Sequence, residues 1–216
     1  GEGHPVTVDT GLEHQREQIL VLAARHGCRN VRVFGSRARG EANPGSDVDD
    51  VIITTDALAA HWQVLADWKT RRGVPTVVRT VEWIQANYRH GSDLQETIRT
   101  FIKDAYAKWA VQYVLLGGDT DLLPARYGHS AFVGGDDSRV PTDLYFGCLD
   151  GNWNKDGDAF WGEGALNAVT LVDSTDLYPE VHVGRLPMST ATTVDAIVTK
   201  VITYENPAQT TYQNKA

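Results

Sequence analysis

From Asp50 onward the sequence alternates β-branched runs with stretches of helical periodicity, and this alternation limits the chain to few folds. "DVIITT" opens at Asp50 as an apolar run of the length expected for a strand buried on both faces. Thr55 and Asp56 follow as helix N-caps. Leu58, Trp62, Leu65 and Trp68 then share one face of a helix predicted to run to about Arg72. "GVPTVVRT" is the next strand and Val81 to Tyr88 a short helix. Ser92 opens a longer helix with Leu94, Ile98, Phe101, Ile102 and Tyr106 as its apolar stripe. "VQYVLLGGD" is a strand ending in a Gly-Asp turn, and "EVHVGRL" is another. Thr190 to Tyr204 closes the series as an amphipathic helix, with Val194, Ile197, Val198, Val201 and Ile202 inward. This pattern predicts an α/β fold, a largely parallel sheet flanked by helices. Between Pro124 and Asp176 loops dominate, broken by "TDLYFGCL" as a predicted strand.

Ahead of that series, residues 1–12 read as a loose arm. Leu12 to His26 forms a predicted helix that stops at Gly27, and "NVRVF" follows as a strand, so this part is an N-terminal appendage. At 216 residues the chain suits one sizeable α/β domain, or one domain plus a fragment. The net charge of −8 argues against sequence-independent binding to a nucleic-acid backbone, which needs clustered Lys and Arg. Cys28 and Cys148 are too few and too far apart for a disulfide framework or a zinc spacing. No apolar run is long enough to span a bilayer. The start at Gly1, without a charged leader and apolar stretch, is that expected of a processed, truncated or incomplete product.

Two motifs in the appendage carry chemistry. "GSRARG" places a Gly-Ser turn at a strand end, where backbone N–H groups can approach a triphosphate. "SDVD" places Asp47 and Asp49 two residues apart, on one face of a strand, where both can share Mg²⁺. Together they resemble the polymerase-β-like nucleotidyltransferases. That resemblance implies that Gly35 and Ser36 contact nucleotide, with Arg37 or Arg39 assisting, in a cytoplasmic enzyme. It covers only residues 13–49 and the strand that follows. The third carboxylate of the family has no counterpart in "TVVRT", and Glu82 beyond it is a poor substitute.

Residues 50–207 carry a longer set of matching stretches: "DVIITTDALA", "LADWKTRRGVPTVV", "IRTFIKDAY", "YVLLGGDTDLLPAR", "VPTDLYFGCLDGNWNKDGD", "DLYPEVHVGRLPMST" and "VITYEN". In this order they resemble the N-terminal lobe of the gingipain-type cysteine peptidases, leaving residues 208–216 as a tail. The resemblance implies a caspase-like α/β fold and a secreted, extracellular endopeptidase in which a thiolate attacks a peptide carbonyl. It further implies that the Cys and His of the dyad belong to a second, C-terminal lobe, through which protein or peptide substrate is engaged. No catalytic residue then falls in this chain. Cys148 paired with His129 or His182 is a poor substitute, because a thiol within a predicted strand is ordinarily buried.

"NWNKDGDAFWGE" has the spacing of a calcium loop with Asn in place of its first Asp. Asn152, Asn154 and Asp156 supply alternate ligands, Gly157 the sharp turn, Asp158 a carbonyl and Glu163 a bidentate carboxylate, with Asp150 compensating upstream. Hard oxygen ligands suit Ca²⁺ over a transition metal. The competing reading is an Asx-rich hairpin bonded to its own backbone. Asp119 and Asp121, after Gly117 and Gly118, allow either a cation or lobe contact or simple loop capping.

Overall fold

The computed structural model describes residues 48–88, 91–132, 135–163, 173–175 and 177–206, together with the helical Val21. The predicted Leu12–His26 helix, apart from Val21, and the "NVRVF" strand lie outside these residues. So do Gly35, Ser36, Arg37, Arg39 and Asp47.

The β-branched run does form a strand, β1 (Asp50–Thr54), and Val51 to Thr54 are buried. It lies between β2 (Thr76–Thr80) and β3 (Tyr113–Gly117). β3 in turn pairs with a later strand, β6 (His182–Leu186), and every pairing is parallel. The resulting order is β2-β1-β3-β6. Because side chains alternate across a strand, consecutive residues of β1 feed different cores. Val51 and Ile53 join Ile98, Phe101 and Ile102 on one face, whereas Ile52 joins Leu58, Trp62, Val194 and Val198 on the other.

The helices supply those partners. α1 (Asp56–Arg71) buries Leu58, Trp62, Leu65 and Ala66 as its periodicity predicts. Its predicted cap works differently, since Thr55 makes no capping bond and the Asp56 N–H donates instead to Glu82 Oε2 at 3.0 Å. α2 (Val81–Asn87) is capped by the Thr80 hydroxyl, and α3 (Leu94–Trp109) by the Asp93 carboxylate, one residue after the expected Ser92. α3 ends at Ala110 in the left-handed region (φ 60). At the C-terminal side, α5 (Ala191–Glu205) opens with a reciprocal capping box between Thr190 and Thr193. α5 locks onto α1 through His61–Asp195 and through Glu205, which accepts from Trp68 and Lys69.

Two predictions fail in the segment between β3 and β6. Its first part is an antiparallel hairpin, β4 (Arg126–Phe132) with β5 (Gly135–Thr142), and not loop. The register shifts between Gly128 and Ser130 and Pro141 sits within β5, so the alternation that reveals a strand is absent. "TDLYFGCL" is not a strand either, but holds the helical turn α4 (Leu144–Gly147). Tyr145 and Phe146 are both about 1% exposed, and a helical turn lets both adjacent rings enter one core where a strand would split them. Gly147 fits because a Cβ there would lie 3.1 Å from the Val181 carbonyl oxygen.

Candidate metal centre

The acidic loop leaves α4 at Cys148 and returns at Glu163, and its turns need glycine. Gly157 has φ 76, which supports the predicted sharp turn. Gly162, at φ 72, also gives way to an aromatic ring: a Cβ there would lie 2.9 Å from Trp153 Cε3. Trp153 is buried and meets Tyr145 edge-on at 5.4 Å, and Trp161 does the same at 5.9 Å. Both tryptophans therefore pack the base of the loop.

Asp156, Asp158 and Glu163 each offer a carboxylate oxygen within 4.8 Å of the others. Oxygens that share one Ca²⁺ at about 2.3–2.6 Å stand at most about 5 Å apart, so this spacing fits a hard cation. Asn154 Oδ1 is buried without a hydrogen-bond partner, which leaves a further oxygen acceptor in the same turn. The remaining predicted ligands are otherwise engaged. Asn152 Oδ1 accepts from the Asn154 N–H at 3.0 Å, and the Asp158 carbonyl accepts from Asn154 Nδ2 at 3.0 Å. Asp158 Oδ1 accepts from the Phe160 N–H at 2.7 Å. Asp150 is exposed and stands outside the carboxylate group, and its carbonyl accepts from Arg99. The loop thus has the Asx bonds of a self-capped hairpin and a three-carboxylate cluster at once.

The carboxylates of this loop crowd one another. Desolvation pushes the Glu163 carboxyl above its usual range, Asp158, Asp156 and Asp173 add to the effect, and His129 partly offsets it. His129 Nε2 lies 4.0 Å from Glu163 Oε1, and its ring meets Phe160 at 4.7 Å. Asp173, which sequence reasoning missed, ties the two ends of the loop together. It accepts from the N–H groups of Lys155, Gly162 and Glu163, and it is 8% exposed. No local pattern announces it, because its partners lie 10 to 18 residues away.

Two buried arginines anchor this loop to the domain. Arg126 pairs in bidentate fashion with Asp93 and lies 3.6 Å over Trp161. Arg99 donates to the Cys148 and Asp150 carbonyls. Burial opposes the ionised form of Asp93, yet the Arg126 guanidinium and the Glu96 N–H hold its carboxyl below the usual range.

The other candidate residues do not assemble. Cys148 is 0% exposed in the core shared with α3, while His182 is exposed on the opposite sheet face and stacks on Tyr113 at 5.3 Å. His129 faces the acidic loop. Asp119 caps its own turn through Thr120 N–H, and Asp121 meets Ser189 at 3.4 Å. Asp49 sits at the amino edge of the sheet, with its N–H on Pro75 and its carbonyl accepting from Gln112 and Tyr113.

The sequence model of peptidase family C25 matches residues 43–216, a span that includes Asp47 and Asp49. Among solved structures, one described as a protease shares 20% identity over 76% of this chain and 29% of its own, with a TM-score of 0.52. The Arg-specific cysteine proteinase gingipain R (RgpB) shares 23% identity over 76% of this chain and 30% of its own, with a TM-score of 0.51. Dimeric latent PorU from Porphyromonas gingivalis shares 23% identity over 73% of this chain and 15% of its own, with a TM-score of 0.51. The chain therefore spans less than a third of each structure that it resembles. No curated relative matches by sequence.

Proposed function

The chain belongs to peptidase family C25, and we propose that it is the N-terminal, non-catalytic lobe of a gingipain-type cysteine endopeptidase. The observation that carries this reading is the family match across most of the chain, on a four-stranded parallel sheet in the order β2-β1-β3-β6. The described residues contain one cysteine, and its burial is unsuited to nucleophilic attack. The nucleophilic Cys and its His therefore belong to a second lobe, which meets protein or peptide substrate in an extracellular setting.

Within this lobe the acidic loop takes Ca²⁺, with Asp156, Asp158 and Glu163 as carboxylate ligands and Asn154 Oδ1 beside them. Asn152 and the Asp158 carbonyl complete the shell once their internal bonds yield, and Asp150 stays peripheral. A site this exposed suits millimolar extracellular calcium.

Nothing favours the Mg²⁺-dependent nucleotidyltransferase reading of Gly35, Ser36, Arg37, Arg39, Asp47 and Asp49. The described member, Asp49, precedes the amino end of β1, whereas open parallel sheets bind ligands beyond the carboxyl ends of their strands.

An electrophilic peptide probe that alkylates catalytic thiols tests the proposal. In a chain extended by the coding sequence that follows, the label is expected on a cysteine beyond residue 216. Stoichiometric labelling of Cys148 in the folded protein would overturn the assignment.

A further inference from the structure

Asp50, Tyr113 and His182 open β1, β3 and β6, and the register sets them side by side. Their side chains form one row on the face that α1 and α5 cover, because they alternate in step with Ile52 and Leu115. A hollow of about 460 Å³ lies over this row, within the range of about 300–1,000 Å³ usual for small-molecule sites. Asp50, Lys69, Tyr113, Leu115, His182 and Gly184 line it. A Cβ built on Gly184 meets nothing within 4 Å, so the glycine keeps that end open. Tyr113 stacks on His182 at 5.3 Å with 25° between the rings, which gives the hollow an aromatic wall.

The charge of the hollow is negative. Among the described residues the Asp50 carboxylate has no close side-chain donor: Thr76 Oγ1 lies 3.4 Å from it and turns its proton to the Val74 carbonyl at 2.9 Å. Lys69, in the last turn of α1, is bonded to Glu205 at the end of α5, so one ammonium faces two carboxylates. Helix carboxyl ends carry negative partial charge, and two helices end here. The amino ends of these strands therefore suit a cation, as their carboxyl ends, where helices begin, suit anions. Burial pushes the Asp50 carboxyl up to about 6, with Lys69 and Thr76 opposing. A cation seated beside it relieves that cost.

Size decides what kind of cation. From Asp50 to His182 the row crosses two strand spacings, about 10 Å, which is the length of a small organic molecule and too long for the shell of one metal ion.

We propose that this hollow binds a small organic monocation, an amidinium or ammonium on a flat apolar body. Its charge sits on Asp50, and its body lies along Tyr113 and His182, over Leu115 and toward Gly184. The site needs no nucleophile and goes beyond the proteolytic reading.

Benzamidine, benzamide and benzoate test it, because they share nearly one shape and are positive, neutral and negative at neutral pH. Each is titrated into the 216-residue chain and followed by the backbone amide resonances. Benzamidine is expected to shift the Tyr113, Leu115 and Gly184 amides and to bind about tenfold or more tighter than benzamide, with benzoate weakest. Asp50→Asn should remove the preference for benzamidine over benzamide, since it keeps the shape and loses the charge. Gly184→Leu fills the hollow without striking a neighbour and should weaken benzamidine about tenfold or more. Circular dichroism checks that both variants fold. No shift of these amides at millimolar benzamidine, equal binding of the three molecules, an undiminished preference in Asp50→Asn, or full affinity in Gly184→Leu would each overturn the site.

Discussion

Arg126 and Asp93 stand 33 residues apart in sequence, yet two guanidinium nitrogens of one meet both carboxylate oxygens of the other at 2.8 Å. The same guanidinium lies over Tyr145 and Trp161, at 4.5 and 3.6 Å. One side chain thus joins the hairpin to the N-cap of α3 and to the base of the acidic loop.

Removing Arg126 takes away a side chain that is 5% exposed and packs over two rings, and leaves the partly exposed Asp93 carboxylate without its partner. Arg126→Ala should cost about 2–3 kcal/mol in urea unfolding, through the lost charge-assisted bonds and ring packing. Arg126→Lys should recover only part of that loss, since an ammonium lacks both the fork and the stacking plane. A loss below about 1 kcal/mol for the alanine variant would show the pair to be incidental.

Gly117 lies under Trp62, and a Cβ built on it would fall 2.7 Å from the ring atom Cε2. Both residues are buried and the ring is fixed by α1, so neither yields cheaply. Gly117→Ala should destabilise by about 1–3 kcal/mol through overpacking, read as a lower melting temperature. An unchanged melting temperature would mean that the helix is free to shift.

Asp50 makes stability depend on pH in the opposite sense from a salt-bridged carboxylate. Its carboxyl is raised by burial from 3.8 to about 6 in the folded chain, so between those values the native state holds more protons than the unfolded state. Stability from this group is therefore full below about pH 4, falls as pH rises, and is lost above about 6. Asp50→Asn should equal the parent at pH 4 and exceed it by about 1–3 kcal/mol at pH 7. Equal stabilities at pH 7 would contradict the shift.

Calcium should raise the melting temperature, and a chelator should reverse the rise, because a ligand held only by the folded state stabilises it by mass action. Glu163→Gln and Asp158→Asn should each abolish most of that shift, while Asp150→Asn leaves it largely intact, since Asp150 stands outside the carboxylate group. Loss of the shift in Asp150→Asn alone would reverse the ligand assignment.

The parallel sheet was legible because its elements advertise themselves locally. The run at Val51 to Thr54, the Leu58–Trp62–Leu65 face and the Thr190 cap each carry their own period or capping residue. The hairpin was not legible, because Gly128, Pro141 and a register shift erase alternation where few strands need satisfying. α4 looked like a strand because Tyr145 and Phe146 have strand propensity, and only packing decides that both rings enter one core. The acidic loop could be read from its spacing, but its anchors could not. Asp173, Arg126–Asp93 and Arg185–Asp143 are pairings across 10 to 42 residues, and their partners become neighbours only after folding. The Asp-x-Asp motif at Asp47 and Asp49 shows the reverse hazard: a short motif can be well formed in sequence and still lie within the span matched by another family.

The most direct test of the central claim is peptide hydrolysis by the 216-residue chain, measured beside the same chain extended by the coding sequence that follows it. A non-catalytic lobe predicts no turnover by the shorter chain at any calcium concentration. It also predicts thiol-dependent turnover by the longer one that survives Cys148→Ser. Turnover by the 216-residue chain that disappears with Cys148→Ser would contradict it.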